Sequence, residues 1–252
     1  MANERLREAL LRNGLDIDQV AAKTGVDQKT VERWITKGRI PYPRHRHTIA
    51  SLVRETENYL WPEAVTPDRR AQVAESEVLK VYPHRNLIPS ELWSRLLSDV
   101  NERVDILVLA GLFLAEDPSL AKTIKQKAKQ GVSIRMLFGD PAAPEATKRS
   151  AEERLAVNTV PARIRNALAL VEPLTLIEGV EIRFHQTTLY NSIFRFDEEM
   201  IVNMHVYGCP GAHAPAFHLR QLPNGDLFET YVTSFEHVWT DATPADFARS
   251  YE

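Results

Sequence analysis

Val104-Asp105-Ile106-Leu107-Val108-Leu109-Ala110 is a near-continuous apolar run of the kind a strand buried on both faces shows, and the residues after it decide the class of fold. Leu120 to Gln130 repeats its apolar residues at helical spacing, turns lysines outward and stops at Gly131. Val132 to Phe138 is a second apolar run, closed by Gly139-Asp140-Pro141. Strand, helix and strand in that order predict a right-handed crossover between parallel neighbours. A long polar helical region follows through Arg165 and Leu168. Short strands are then expected at 180–184, 193–196, 200–205 and 217–222, and a helix from Ser234 to Ala242. The sheet should start parallel and gain hairpin strands late, in a mixed α/β domain over 81–245.

Upstream the period changes. From Glu4 to Thr56 the apolar residues, among them Leu6, Leu10, Val20, Val31, Trp34, Ile49 and Val53, recur at helical spacing and predict four short helices. We place an all-α domain at 1–56 and a linker at 57–80, where Pro62, Pro67 and Asp68-Arg69-Arg70-Ala71-Gln72 interrupt the pattern.

The chain has 252 residues, 44% hydrophobic and 26% charged, with no apolar run long enough to cross a bilayer and no secretory leader at its start. A cytoplasmic location, no membrane association and no cofactor are expected. One cysteine, Cys209, leaves no internal disulfide framework. The net charge of -3 hides a local excess: Lys29, Arg33, Lys37, Arg39, Arg44 and Arg46 crowd one stretch opposed only by Asp27 and Glu32.

In Asp16 to Trp34 small and apolar residues sit where two helices must cross. Ala21 permits close approach, Gly25 takes the turn, Asp27 can cap the next helix, and Val20, Val31 and Trp34 fill the space between. This leaves Gln28, Lys29, Thr30 and Arg33 on the first turns of a solvent face, where Arg can read guanine and Gln adenine. Lys37, Arg39, Arg44 and Arg46 would lie nearer phosphates. The stretch resembles helix-turn-helix domains of the lambda-repressor or XRE class, and Gly38-Arg39-Ile40-Pro41 after it resembles MerR-like headpieces. Many XRE members carry a phosphate-contacting Gln where Ile17 stands. The resemblance implies double-stranded DNA as partner; a small helical bundle for protein contact is the bland alternative.

Lys127 to Phe138, and Gly179-Val180-Glu181-Ile182-Arg183 after it, resemble the approach to the HxKxxxxD motif of phospholipase D superfamily halves. In that register Tyr190-Asn191-Ser192-Ile193-Phe194-Arg195-Phe196-Asp197 puts Tyr190 in the place of the nucleophilic His and Ser192 in that of the Lys, and only Asp197 matches. Met204-His205 replaces the Gly-Ser of the following GSxxN. The combination is similar to helix-turn-helix regulators of filamentous actinobacteria that carry such a domain. Family chemistry needs a His attacking phosphorus, and a phenol of pKa about 10 is a poor substitute at neutral pH. The resemblance therefore implies a domain without catalytic residues that still binds a small anionic or nucleotide-like effector.

Candidate ligand residues are Arg135 and Arg183, which close strands, and Asp140, near the carboxyl end of the second strand, where ligands sit in α/β sheets. His185, Tyr190, Asn191, Ser192, Arg195, Asp197, Asn203, His205 and His218 complete the set. Each, taken alone, also has a structural reading as an ion-pair or hydrogen-bond partner of its neighbours. His205, Cys209, His213 and His218 could in principle hold zinc, but the spacing is not a strong signature and no metal is assigned. Glu152 and Glu153 are adjacent on a helix, point apart and make no catalytic pair.

The expectation is a bacterial DNA-binding transcription regulator that forms a homodimer, because such headpieces read two half-sites and the resemblance supplies only one of two phospholipase-like halves. A divergent phosphodiesterase or nuclease targeted to DNA, using His185 or His205, is the alternative. A protein-interaction module without DNA affinity is a third.

Overall fold

Asp16 and Asp27 each end a loop and start a helix, and between them they set the geometry of the first part of the chain. The computed structural model describes residues 2–64, 74–223 and 225–247. The chain divides into two compact units, Met1–Glu77 with Leu222–Leu227, and Val78–Gln221 with Phe228–Glu252.

In the first unit lie helices α1 (Glu4–Arg12), α2 (Ile17–Thr24), α3 (Gln28–Thr36), α4 (Pro43–Val53) and α5 (Glu57–Leu60). Asp16 accepts the Gln19 N–H while the Gln19 side chain reaches back to the Asp16 N–H, a reciprocal capping box. Gly25, at φ 69°, ends α2 in the left-handed region that a side chain resists. Asp27 then accepts the Thr30 N–H at 2.8 Å and opens α3. Leu6, Val20, Val31, Trp34, Ile49 and Val53 bury together. Each such side chain contributes roughly 1.5–3 kcal/mol by leaving water.

Packing at the end of α5 corrects the domain boundary expected at 56. Leu60 and Trp61, both about 1% exposed, belong to this core, so removing the chain from 57 would open it to solvent. Pro67 and Asp68 to Gln72, expected in the linker, lie outside the described residues.

The second unit is mixed α/β. Its strands are β1 (Val78–Tyr82), β2 (Arg103–Leu107), β3 (Ser133–Gly139), β4 (Val180–His185), β5 (Asn191–Phe196), β6 (Glu199–Met204), β7 (Ala216–Arg220) and β8 (Thr243–Pro244). They form one eight-stranded sheet in the order β1-β7-β6-β5-β2-β3-β4-β8. β2, β3 and β4 run parallel, and the remaining pairs are antiparallel. The predicted strand–helix–strand order between parallel neighbours is present, with α7 (Leu112–Ala115) and α8 (Leu120–Lys129) between β2 and β3. The long polar helical region is two helices, α9 (Pro144–Glu152) and α10 (Thr159–Val171).

Period-two alternation divides the sheet into two faces. Val104, Ile106, Ile134, Met136, Phe138, Ile182 and Phe194 form one, packed with Leu96 of α6 (Ser90–Asp99), Ile124 of α8, and Ile164 and Leu168 of α10. The opposite face carries Asp105, Arg135, Arg183 and Arg195, and α11 (Leu227–Asp241) lies against it through Glu236 and Trp239. Among the described residues no helix is long and apolar enough to cross a membrane.

Candidate functional site

On the first unit, α3 buries Val31, Trp34 and Ile35 and leaves Gln28, Lys29 and Arg33 exposed along its other side. Thr30 is half-buried and its hydroxyl donates to Asp27 at 2.8 Å, so it serves the cap. Those hydrogen bonds hold the Asp27 carboxyl below the usual carboxylate range. Lys37, Arg39 and Arg44 are exposed, and Arg44 donates to the ring of His45. Arg46 does not join them. It is 8% exposed, donates to Glu57 at 3.0 Å and to the Pro41 carbonyl at 3.0 Å, and ties α4 to α5. Ile17 packs against the core, which leaves no side-chain donor at that position.

On the second unit, a cavity of about 450 Å³ opens at the carboxyl end of β2, where Val108 to Gly111 leave the sheet. Ser192, Asn203 and His205, three of the twelve expected ligand residues, line it. His205 Nδ1 lies 3.0 Å from the Leu189 carbonyl and must donate to it. Nε2 is thereby the acceptor, and the Ser192 hydroxyl, 3.0 Å away, donates to it. Burial, then the charges of Arg149 and Arg85, push the imidazole down to about 4, so it is neutral at pH 7. The Asn203 amide donates to the Pro215 carbonyl at 3.1 Å and pins the loop after β6.

The cations of this cavity are residues the sequence patterns did not single out: Arg85, Arg149 and Arg163. Arg149 donates to Glu153 at 2.7 Å and to the Cys209 carbonyl, and Arg163 stands 4.0 Å from the same glutamate. Arg85 differs, since its guanidinium has no carboxylate partner among the described residues and lies 3.6 Å from the centre of the Phe113 ring. Burial without a counter-charge lowers its pKa to about 10. Its position is fixed from both ends: the Arg85 N–H donates to the Ala214 carbonyl at 2.9 Å, and Phe113 packs edge-on against Trp93 and Phe194.

The other expected ligand residues stand elsewhere. Arg135 donates to Asp105 at 2.7 Å and with two nitrogens to Glu236, beneath α11. Arg183 donates to the Trp239 carbonyl and lies over that ring, and Arg195 donates to the Asp197 carbonyl and lies over Phe228. These three occupy the face away from the cavity because strand alternation puts Arg135, Arg183 and Arg195 opposite Phe138, Phe184 and Phe194.

Asp197, the one residue matching the phospholipase motif, sits at the far end of β5 with φ 50° and accepts the N–H groups of Asn101, Glu102 and Arg103. His218 bonds Glu199 at 2.6 Å, and Glu199 is also held by Arg95, whose hydrogen bond keeps that carboxyl low. At the cavity's end of the sheet but outside its lining, His185 is buried against the Val108 carbonyl, while Asp140 accepts from Ala142 and Gln186. Asn191 is half-buried and Tyr190 is 74% exposed. Of the four residues weighed for zinc, His205 and His218 have ring nitrogens engaged by Leu189, Ser192 and Glu199.

No family model matches the chain, and no curated protein matches it. Among solved structures it is similar to TrmBL2, an archaeal chromatin protein with a novel mode of DNA binding, at 12% identity and a TM-score of 0.43, over 92% of this chain and 88% of that one. It is similar to Nuc from Salmonella typhimurium, a phospholipase D family member, at 11% identity and a TM-score of 0.34, over 62% of this chain and 89% of that one. NucT from Helicobacter pylori is similar at 11% identity and a TM-score of 0.38, over 66% of this chain and 98% of that one.

Proposed function

We propose that the protein is a sequence-specific DNA-binding transcription regulator, acting as a homodimer, whose larger unit resembles a phospholipase D half that has lost its chemistry and binds a small anionic effector. One observation carries the first part. The capped helix α3 turns Gln28, Lys29 and Arg33 to solvent at its amino-terminal turns, with Lys37, Arg39 and Arg44 exposed beyond them. Such a helix fits a major groove, with the first set meeting base edges and the second meeting phosphates. The cavity beside Ser192 and His205 supports the sensor reading, and effector binding is read out as a change in DNA affinity.

The test is selection of bound fragments from a genomic library by the purified full chain, followed by sedimentation of the protein on the recovered duplex. Recovery of a shared sequence with two related half-sites bound by two chains supports the reading. Recovery of random fragments contradicts it.

A second reading, phosphodiester hydrolysis, is favoured by the Ser192 hydroxyl donating to His205, an arrangement able to activate a nucleophile. An imidazole held near pKa 4 is a weak base, which sets this reading second. Turnover of a generic phosphodiester that disappears in His205→Asn would reverse the order.

A further inference from the structure

We propose that Arg85 is the anchor of the effector site, and that the effector is a small organic oxyanion, a carboxylate or a phosphate on an apolar body, seated with its oxygens on this guanidinium. The proposal rests on the reading of the larger unit as a sensor and gives that site its chemistry.

Three observations converge. Arg85 is the cation of the cavity wall left without a carboxylate among the described residues, whereas Arg149 and Arg163 share Glu153. A guanidinium withdrawn from water and offered only a ring face retains its full set of donors for a ligand, and its planar fork matches two oxygens of a carboxylate or phosphate. Leu112, Phe113, Phe194 and Pro210 give the wall an apolar patch next to Arg85, with Glu116 and His213 also in the lining, so the anion should come attached to something that prefers such a surface.

The obvious competing polar groups are already engaged. Ser192 donates to His205, His205 donates to Leu189, and the Asn203 amide is on the Pro215 carbonyl. Among the arginines of the wall, recognition of an anion therefore falls on Arg85. The volume of about 450 Å³ suits a metabolite-sized molecule. Arg135, Arg183 and Arg195 are not part of the site, because each is turned to the face under α11.

The experiment is calorimetric titration of the full chain with two matched panels, aryl and alkyl carboxylates and aryl and alkyl phosphate monoesters, each beside its neutral amide or alcohol. A member of one panel should bind saturably, one per chain, while its neutral counterpart does not, and the panel that binds names the source of the oxyanion. Arg85→Gln should weaken that binding about 100-fold, the scale for removing one partner of a desolvated charge pair. Arg85→Lys, which keeps the charge but not the planar fork, should recover only part of it, and Arg183→Gln should retain all of it. No binding by any oxyanion, or equal binding by Arg85→Gln, overturns the proposal. DNA affinity measured with and without the bound compound separates the two claims: unchanged affinity contradicts the sensor reading and leaves the site standing.

Discussion

Ser192 Oγ and His205 Nε2 face each other at 3.0 Å at the open end of the β5–β6 hairpin, with the hydroxyl as donor because the other ring nitrogen is committed to Leu189. Burial and the neighbouring charges of Arg149 and Arg85 hold the ring neutral, and this makes it sensitive to acid.

The folded-state pKa of His205, about 4, lies below its ordinary value, so on acidification the unfolded chain takes up the proton first. Stability is full above pH 6.5 and falls as pH drops from there to 4, by about 3 kcal/mol from this residue. His185 and His218, lowered chiefly by burial, act in the same direction. In His205→Asn, whose amide keeps a donor for Leu189, urea unfolding across this range should show a fall smaller by about that amount. An unchanged profile contradicts the assignment.

Arg135 neutralises Asp105, which is 1% exposed, and Glu236 holds the arginine's other edge, raising its pKa further above the ordinary value. Arg135→Ala leaves that buried carboxylate with Arg195, 3.7 Å away, as its remaining cation among the described residues, and should destabilise the larger unit by about 3 kcal/mol. Thermal unfolding checks this; a loss below about 1 kcal/mol would return Arg135 to the set of residues free to meet a ligand.

Asp197 is engaged by the backbone at the far end of the sheet. Its carboxylate gathers three N–H groups at the start of β2. Asp197→Ala should cost about 2 kcal/mol of stability, Asp197→Asn less, and neither should alter ligand affinity measured on the folded fraction. Loss of ligand binding with stability intact would place Asp197 in the site after all.

Arg46 and Arg39 are near in sequence and opposite in role. Arg46→Ala should destabilise the first unit by about 3 kcal/mol, because Glu57 is left half-buried without its partner, and should leave the salt slope of DNA binding unchanged. Arg39→Ala should leave unfolding unchanged and reduce that slope by about 1. Denaturation and binding at several salt concentrations distinguish them, and a lower slope in Arg46→Ala contradicts the division.

Much of the architecture was legible because buried strands and amphipathic helices write their period into the sequence, as Val104 to Phe138 does. β1 was not, since its middle residues are exposed and Val78 to Tyr82 carries neither an alternation nor a turn signal. α6 was passed over although Leu92, Leu96 and Trp93 have helical spacing. Ser192 and His205, which the resemblance singled out, and Asn203, a polar residue in a strand pattern, line one cavity. Arg135, Arg183 and Arg195 lie on the face away from that cavity, which the sequence could not show because charge on a strand says nothing of which face it takes until the register is known. Arg85 is not marked in the sequence, as what distinguishes it is the absence of a carboxylate partner among the described residues, a property of three dimensions.

Arg33 decides the central claim. On the recovered duplex and on a random duplex of equal length, Arg33→Ala should lower specific affinity by about 1–3 kcal/mol while leaving non-specific affinity within a few-fold, so that the ratio between them collapses. Equal loss on both duplexes, or no loss on either, would mean that α3 does not read base edges and that the protein does not regulate transcription in the way proposed.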